Sequence, residues 1–259
     1  MRVAALFCAA LLAASGCGSS SDDEQPKTTS QQDTLDQLPE APAASESTQA
    51  PTTLRGVFDD AQAMWKQEFE DAGADYKPAT LTIFTGQVET ACGTESSDIG
   101  PFYCPADHGV YLDKTFFDAL GRSTGVQLGH FAQAYVVAHE VAHHVQTLLG
   151  ILPRIFAANE SDPAGANARS VRLELQADCL AGVWKHSAYQ RDQLTRADLE
   201  DALRAAAVVG SDFQQKRASG TITPEEWTHG SSAQRQHWLT LGFETGRPND
   251  CDTFASQQD

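Results

Sequence analysis

Apolar residues recur at helical spacing at the start of the folded part of the chain and then alternate with polar residues. Segment 54–73 carries an apolar stripe that ends at Gly73, which predicts an amphipathic helix. In ATLTIFTG (79–86) apolar and polar residues alternate, as is typical of a strand. GPFYCP (100–105) and GVYLD (109–113) are two further short strand candidates. This part of the chain therefore predicts one helix followed by a small sheet.

Helical patterns dominate the rest of the chain. KTFFDALG predicts a short helix that ends at Gly121, and the last predicted helix has Ser231 or Ser232 as a suitable N-cap and Gly246 at its end. The longer predicted helices cover, roughly, residues 130–149, 169–187, 195–209 and 231–245. Because strands come early and helices late, the sequence predicts an α+β fold with one hydrophobic core in which a cleft can open.

One predicted helix, AYVVAHEVAHHVQTLLG (134–150), contains titratable residues in an otherwise apolar run. His139 and His143 are four residues apart, so both imidazoles project from one face with a spacing that suits two positions of a tetrahedral Zn²⁺. Glu140 lies about 100° around the helix from His139, where it can reach a water on the metal without being a ligand. This H-E-x-x-H pattern is typical of water-activating hydrolases, and a helix whose histidines bind core partners is the alternative. His144 points away from the pair, and we expect it to be structural or to line the cleft.

A second predicted helix, RLELQADCLAGVW (172–184), carries Glu174 and Asp178 four residues apart. A solvated acidic face could explain the two carboxylates. However, the neighbouring residues are apolar all around the helix, and buried carboxylates need partners. A catalytic zinc needs a third protein ligand and an acceptor that orients a ligating histidine. We therefore expect Glu174 at the metal and Asp178 at the N–H group of a ligating imidazole.

The two patterns together, H-E-x-x-H and then E-x-x-A-D, resemble the gluzincin arrangement of zinc peptidases. More narrowly, the chain resembles the bacterial neutral zinc metallopeptidase family from about residue 54 to residue 254, with Ala142 where that family more often has Gly. The matching blocks, in order, are GPFYCPAD, VYLD, FAQAYVVAHEVAHHVQ, VRLELQADCLAGVW, THGSSAQR and CDTF. The resemblance implies a zincin-like fold, with a small twisted sheet above an active-site helix and a helical C-terminal half.

The same resemblance implies a role for each residue of the two patterns. His139, His143 and Glu174 would be the ligands of one catalytic Zn²⁺. Glu140 would be the general base that takes a proton from a zinc-activated water, and Asp178 would orient His139. The function implied is that of a metallopeptidase, with endopeptidase activity expected.

Two other functions are compatible with the same residues. A non-catalytic zinc-binding lipoprotein, acting as a scaffold or binding module, is the alternative from a different class. Glu140 favours the enzyme, because a decayed peptidase would be expected to lose its general base first. An amidase that acts on cell-wall peptides shares the zinc chemistry with a peptidase, and only its substrates would distinguish it.

Substrate contacts are less clearly marked. His229, in the Gly/Ser-rich turn WTHGSSAQR, is the candidate donor to the developing oxyanion, and Tyr103 and Tyr111 are rival donors. Arg235 is a candidate clamp for a carboxylate or carbonyl group, or one half of a buried ion pair. In zincin-like folds an edge strand above the cleft pairs with an extended peptide, and PFYC, with Phe102 and Tyr103, is the candidate for it.

The N-terminus has the layout of a secretory signal. MRVAALFCAALLAASGC has one basic residue, an apolar run too short for a membrane span and a small-residue end. Its end resembles the bacterial lipoprotein cleavage box, which would make residues 1–16 a signal peptide and Cys17 the lipidated first residue. Ordinary signal cleavage nearby is the alternative. We expect an exported domain, anchored by lipid to a bacterial membrane and facing the periplasm or cell exterior.

Composition separates a tether from the folded domain. Residues 17–53 are rich in polar residues and proline, and cannot bury enough surface to fold, so we expect a disordered acidic tether ahead of a metallopeptidase domain at 54–259. Seven acidic residues and one lysine give the tether −6 of the net charge of −17. Since the remainder is acidic too, nucleic acid is not expected as a partner, and a peptide or protein substrate is.

Four cysteines lie in the predicted domain, and in an exported protein they predict two disulfides. Of the three possible pairings, Cys92 with Cys104 is the natural local pair, since they flank a short loop. Cys179 with Cys251 would then be a long-range link. Thiolate zinc ligands are a weaker alternative, because the sequence has no C-x-x-C pair.

Overall fold

A computed structural model describes residues 53–126 and 128–255, without the side chain of Arg196. The predicted signal peptide, the predicted lipidation site Cys17 and nearly all of the predicted tether lie outside these residues. The first described helix, α1 (Leu54–Asp71), starts after Thr53, whose hydroxyl oxygen accepts a hydrogen bond from the backbone N–H of Gly56 at 3.0 Å. This side chain satisfies one of the helix N-terminal donors that have no partner within the helix.

Five short strands in the described residues form two separate sheets. The strands are β1 (Thr80–Phe84), β2 (Gln87–Thr90), β3 (Gly93–Ser96), β4 (Phe102–Cys104) and β5 (Gly109–Asp113). β5 is the centre of a three-stranded sheet with the order β1-β5-β4, parallel to β1 and antiparallel to β4. All residues of β5 are buried, whereas β4 is an edge strand. β2 and β3 form an antiparallel hairpin of their own.

Helices make up most of the remaining described residues and confirm the predicted α+β class with a helical C-terminal half. They are α2 (Phe116–Thr124), α3 (His130–Leu148), α4 (Ile151–Ser161), α5 (Ala166–Gln190), α6 (Arg196–Val208), α7 (Ser211–Ser219) and α8 (Ser232–Thr245). Ser231 caps α8 and Gly246, at a φ of +61°, ends it. None of the helices in the described residues is long and apolar enough to cross a membrane.

The structure corrects several local predictions. α2 does not end at Gly121 but continues to Thr124, and Gly125 ends it because its φ of +70° suits a left-handed cap. α4 was not predicted, since Pro153 suggests a helix break. That proline lies in the first turn, however, where its missing N–H costs no helical hydrogen bond. The polar helix α7 and the hairpin of β2 and β3 lack the apolar stripe on which the predictions depended.

Two glycines allow α5 and α8 to approach closely. A Cβ atom on Gly242 would overlap the carbonyl group of Cys179, and one on Gly182 would overlap the carbonyl group of Leu239. Interiors are packed so tightly that larger residues at such positions would force the helices apart. The close approach brings side chains of α5 and α8 into direct contact, as between Asp178 and Arg235.

Asp201 on α6 fixes the N-terminal end of α3. Its carboxylate accepts hydrogen bonds from the backbone N–H groups of Gly129 and Ala132, each at 2.9 Å. These donors have no partner within the helix, and the helix dipole favours a negative charge beside them. Most of α3 is buried, so the core determines where its polar side chains lie.

Candidate metal centre

Side chains from two helices converge at one point. α3 supplies His139 and His143, whose ring centroids are 4.8 Å apart, and α5 supplies Glu174. Nε2 of His139 lies 3.1 Å from Oε2 of Glu174, and Nε2 of His143 lies 3.4 Å from Oε1. One donor atom from each residue lies within 4.8 Å of the other two. The structure therefore brings together the three residues predicted as ligands.

These separations suit a zinc ion. With metal–ligand bonds of about 2.0–2.2 Å, two ligand atoms of a tetrahedral site lie about 3.3–3.6 Å apart. The N···O distances of 3.1 and 3.4 Å are close to that range. Two imidazoles and one carboxylate also favour zinc over Ca²⁺ or Mg²⁺, which prefer oxygen ligands, and leave a fourth position for water or substrate. Within the described residues, no other group of three such side chains converges in this way.

A buried charged cluster lies behind His139. Nδ1 of His139 is 2.9 Å from Oδ1 of Asp178, although this contact is not aligned with the direction of the ring N–H. Asp178, which is fully buried, is bound by Nε and Nη2 of Arg235 at 2.7 and 2.9 Å. It also accepts a hydrogen bond from the hydroxyl of Tyr135 at 2.5 Å. Asp178 therefore lies beside Nδ1 of His139, and its role in orienting that ring remains a prediction. Arg235 has the second of its two predicted roles, a buried ion pair.

The cluster changes the protonation of its members. Burial alone raises the pKa of Asp178, but the charge of Arg235 and the contact with His139 outweigh burial, and the pKa lies below its usual value. Burial lowers the pKa of His139, yet Asp178 and then Glu174 outweigh it and raise the pKa to about 10. Without a metal, His139 therefore carries a proton that compensates the carboxylates. A bound cation would replace this proton.

Glu140 lies in the same cleft as the three donors but is not one of them. Glu140 is only 7% exposed. Burial raises the pKa of its carboxyl group, and the nearby histidines offset part of this rise. A carboxyl group with a raised pKa accepts a proton more readily than one with an ordinary pKa. The position of Glu140 in the cleft and the direction of its pKa shift suit the predicted general base.

The three donors open on a cleft of about 600 Å³. Edge strand β4 contributes Phe102 and Tyr103 to its wall. Other apolar residues of the wall are Ile99, Phe116, Leu120, Val136, Leu152 and Phe156. An apolar wall with a few convergent polar groups is typical of a substrate site.

His229 also lines this cleft, so the structure brings it near the predicted ligands. The residue as a whole is exposed to solvent, but desolvation of its ring by the surrounding protein lowers its pKa, against the opposing charge of Glu174. A neutral imidazole can donate one hydrogen bond. The predicted contact with an oxyanion remains a prediction.

The rival donors have other partners. The hydroxyl of Tyr103 lies 3.0 Å from Nδ1 of His144, and that of Tyr111 donates to Asp107 at 2.8 Å. Tyr103 lines the cleft, whereas Tyr111 is not part of its wall. His144 is fully buried, with Nε2 2.6 Å from the carbonyl oxygen of Lys77, which can only accept. His144 is therefore structural, since it joins α3 to β4 and to the segment before β1.

Gln146 is a residue of this site that the sequence analysis missed. Its side-chain oxygen lies 2.8 Å from Nδ1 of His143, on the side of the ring opposite the metal-facing nitrogen. The one sequence signal was a polar residue inside the apolar run, three positions after a predicted ligand. A neutral amide there carries no charge pattern that would distinguish it from an ordinary helical glutamine.

Both predicted disulfides are present. Cys92 and Cys104 are linked with a Cα–Cα distance of 5.9 Å, and Cys179 and Cys251 with one of 5.5 Å. Cys92 belongs to the cleft wall. Cys179 follows Asp178 directly, so its disulfide ties α5 to the segment after α8.

Comparison with known families agrees with this geometry. The family described as "Putative neutral zinc metallopeptidase" matches residues 4–254. The chain belongs to this family. It is the family that the sequence blocks resemble, and its description accords with the His, His and Glu donors of the candidate metal centre.

Curated relatives come from distant bacteria. "Uncharacterized protein YpfJ" of Escherichia coli K12 is 47% identical over 192 residues, which cover 74% of this chain and 67% of the relative. "Uncharacterized protein Rv2575" of Mycobacterium tuberculosis H37Rv is 48% identical over 191 residues, which cover 70% of this chain and 64% of the relative. The chain thus spans about two thirds of the length of these relatives. No solved structure gives a significant match.

Proposed function

We propose that the chain is a zinc-dependent peptidase that hydrolyses peptide bonds with Glu140 as its general base. The observation that carries the proposal is the convergence of His139, His143 and Glu174 in a cleft that Glu140 also lines. Two imidazoles and a carboxylate with an open fourth position are the donor set of a catalytic zinc site. Membership of the family supports the same function.

His139, His143 and Glu174 would hold one Zn²⁺. When bound, the ion would supply Lewis acidity and make water a stronger acid. Asp178 would keep His139 oriented toward the metal, and its charge would be balanced by Arg235.

Glu140 would move the protons of the reaction. It would accept a proton from the attacking water as the new bond between oxygen and the carbonyl carbon forms. It would then deliver that proton to the amide nitrogen as the carbon–nitrogen bond breaks, so the products are a carboxyl and an amine terminus. The raised pKa of Glu140 supports both transfers, because a strongly acidic carboxyl group would accept the proton poorly.

The remaining cleft residues would bind the substrate. His229 would donate a hydrogen bond to the oxygen that becomes negative during the attack. Phe102 and Tyr103 would pair, main chain to main chain, with an extended peptide, since β4 is the edge of its sheet. Both roles rest on the position of these residues in the cleft wall.

We also propose that the enzyme works outside the cytoplasm, anchored to a bacterial membrane by a lipid on Cys17. The signal-like N-terminus supports this location, and two disulfides are characteristic of proteins in oxidising compartments. A Cys17→Ser variant should appear in the soluble fraction after cell lysis, while the unchanged chain stays with the membrane. Retention of the variant on the membrane would refute the anchor.

The test of the enzyme uses the purified full chain and unstructured casein. We expect cleavage that a chelator abolishes and added zinc restores, and a Glu140→Gln variant that binds as much zinc as the unchanged chain but cleaves nothing. If the unchanged chain binds zinc and does not cleave either casein or a library of short peptides, the peptidase proposal is wrong. A zinc-binding scaffold would then be the better description.

A further inference from the structure

We infer that Gln146 is a positioning residue that holds His143 in the tautomer offering Nε2 to the metal. The inference rests on the zinc site of the proposed function, but not on peptide cleavage. The two ligating histidines then differ in the group that lies beside Nδ1, which is a carboxylate for His139 and an amide for His143.

Gln146 lies at the centre of a buried chain of hydrogen bonds. Its side chain is fully buried, and its oxygen lies 2.8 Å from Nδ1 of His143. Its nitrogen donates to the carbonyl oxygen of Leu173 at 2.8 Å and to Oε1 of Gln176 at 3.0 Å. Nε2 of Gln176 donates in turn to the carbonyl oxygen of Cys251 at 3.0 Å. No buried side-chain nitrogen or oxygen atom of Gln146 or Gln176 lacks a hydrogen-bond partner.

Backbone carbonyl groups determine the direction of every bond in the chain. A carbonyl oxygen can only accept, so the atom of Gln176 beside Cys251 must be its nitrogen, and its oxygen must face Gln146. The atom of Gln146 beside Leu173 must likewise be its nitrogen, which leaves its oxygen for His143. An amide oxygen beside Nδ1 requires that Nδ1 carries the hydrogen. A neutral His143 therefore has its lone pair on Nε2, the atom that faces Glu174.

The same contacts join two metal ligands. Leu173 directly precedes Glu174, so one side chain on α3 fixes His143 and also the backbone of α5 next to the third ligand. At its far end the chain reaches Cys251, whose disulfide partner Cys179 follows Asp178. The amide chain therefore contacts one ligand, His143, and the backbone next to a second, Glu174. It ends at the disulfide-bonded segment beside Asp178, which faces the third ligand, His139. A carboxylate at position 146 could not replace it, because it would face two oxygen acceptors without a hydrogen to donate.

Nitrogen NMR of the zinc-loaded full chain, kept in a mild detergent, tests the tautomer without any substitution. We expect His143 to carry a hydrogen on Nδ1 and to show metal-shifted resonance at Nε2. Coordination of zinc through Nδ1 of His143 would overturn the inference. This measurement does not depend on whether a variant folds.

A zinc titration tests the contribution of Gln146. Removing an orienting partner of a ligating histidine typically weakens metal binding by about 10–100-fold, and we expect a loss of this size for Gln146→Met. Gln176→Met, which removes only the outer amide, should cause a smaller loss. Leu203→Ala, a buried change on α6 away from the chain, is the control for lost stability and should leave the dissociation constant within about twofold.

The outcomes separate this inference from the proposed function. A folded Gln146→Met protein that binds zinc as tightly as the unchanged chain would overturn the positioning role. So would an equal loss of affinity in Leu203→Ala. An unchanged chain that binds zinc, shows the expected tautomer and cleaves no peptide would refute the peptidase and leave the role of Gln146 supported.

Discussion

His139 and His143 lie one helical turn apart, yet different chemistry supports them. Behind His139 lies a buried charged cluster of Asp178, Arg235 and Tyr135. Behind His143 lies a neutral chain of two glutamine amides. The charged cluster raises the pKa of His139, and removing one of its charged residues leaves the opposite charge buried without compensation. The neutral amide chain orients the ring of His143 without a buried charge. The two regions should therefore respond differently to substitution and to pH.

The largest effect is expected where the two regions meet, at Glu174. This carboxylate contacts both histidines, and replacing it with alanine removes one of three ligands. We expect Glu174→Ala to abolish tight zinc binding, a loss greater than the roughly 10–100-fold typical of an orienting residue. Competition against a fluorescent zinc chelator measures it. If Glu174→Ala weakened binding no more than Gln146→Met, the third ligand would have been misassigned.

The next largest effect compares the stabilities of the two supports. Asp178→Ala leaves Arg235 buried without its main partner and should cost about 3–5 kcal/mol of folding free energy. Gln146→Met leaves neutral groups unpaired and should cost about 1–3 kcal/mol. Urea unfolding of both variants, each without metal, measures the difference. Equal losses would show that breaking the buried ion pair costs no more folding free energy than leaving neutral groups unpaired.

Of the two regions, only the charged cluster behind His139 should make the free energy of unfolding depend on pH. In the metal-free protein the pKa of His139 is raised from about 6.5 in the unfolded chain to about 10. The folded state then binds more protons, so this stabilisation is complete below about pH 6.5 and is lost as the pH rises through 10. At about 1.4 kcal/mol per pKa unit, this shift corresponds to a loss of about 4–5 kcal/mol between these limits. Urea unfolding of the chelator-treated chain at several pH values measures it.

Asp178→Asn is the matched control for this pH effect, because it removes the carboxylate that contributes most to the raised pKa of His139. The fall in stability toward alkaline pH should be much smaller in that variant, whereas Gln146→Met should keep the full slope. A slope that Asp178→Asn does not change would mean that another group causes it.

The smallest predicted effect concerns Tyr135. Its hydroxyl donates to Asp178 and accepts from Nη2 of Arg235 at 3.1 Å, but the ion pair keeps its own direct bonds without it. Tyr135→Phe should therefore cost about 1 kcal/mol and change zinc affinity little. Thermal unfolding and zinc titration check both. A loss as large as that of Asp178→Ala would mean that the ion pair depends on the hydroxyl.

The sequence predicted the parts of the site that local spacing encodes. Four-residue spacing puts His139 and His143 on one face, and two acids in an apolar helix need buried partners. The sequence did not identify Arg235 as the ion-pair partner of Asp178, because Arg235 lies 57 positions away on another helix and meets Asp178 only through close packing of α5 and α8. Gln146 was missed because a neutral amide acquires its role from carbonyl groups on other segments.

The fold shows the same division between local and long-range information. Helices with an apolar stripe were predicted close to their observed ends, as for the helix at 195–209, observed as Arg196–Val208. The polar helix α7 was not predicted because it has no apolar stripe and buries none of its residues, and α4 was not predicted because Pro153 suggests a helix break.

X-ray absorption at the zinc edge of the purified full chain is the direct test of a zinc site formed by His139, His143 and Glu174. We expect about one zinc per chain, bound by two imidazoles and one carboxylate at about 2.0–2.2 Å, with no sulfur ligand. The imidazole signal should be reduced in His143→Ala. A site with sulfur ligands, or an unchanged zinc environment in His143→Ala, would contradict it.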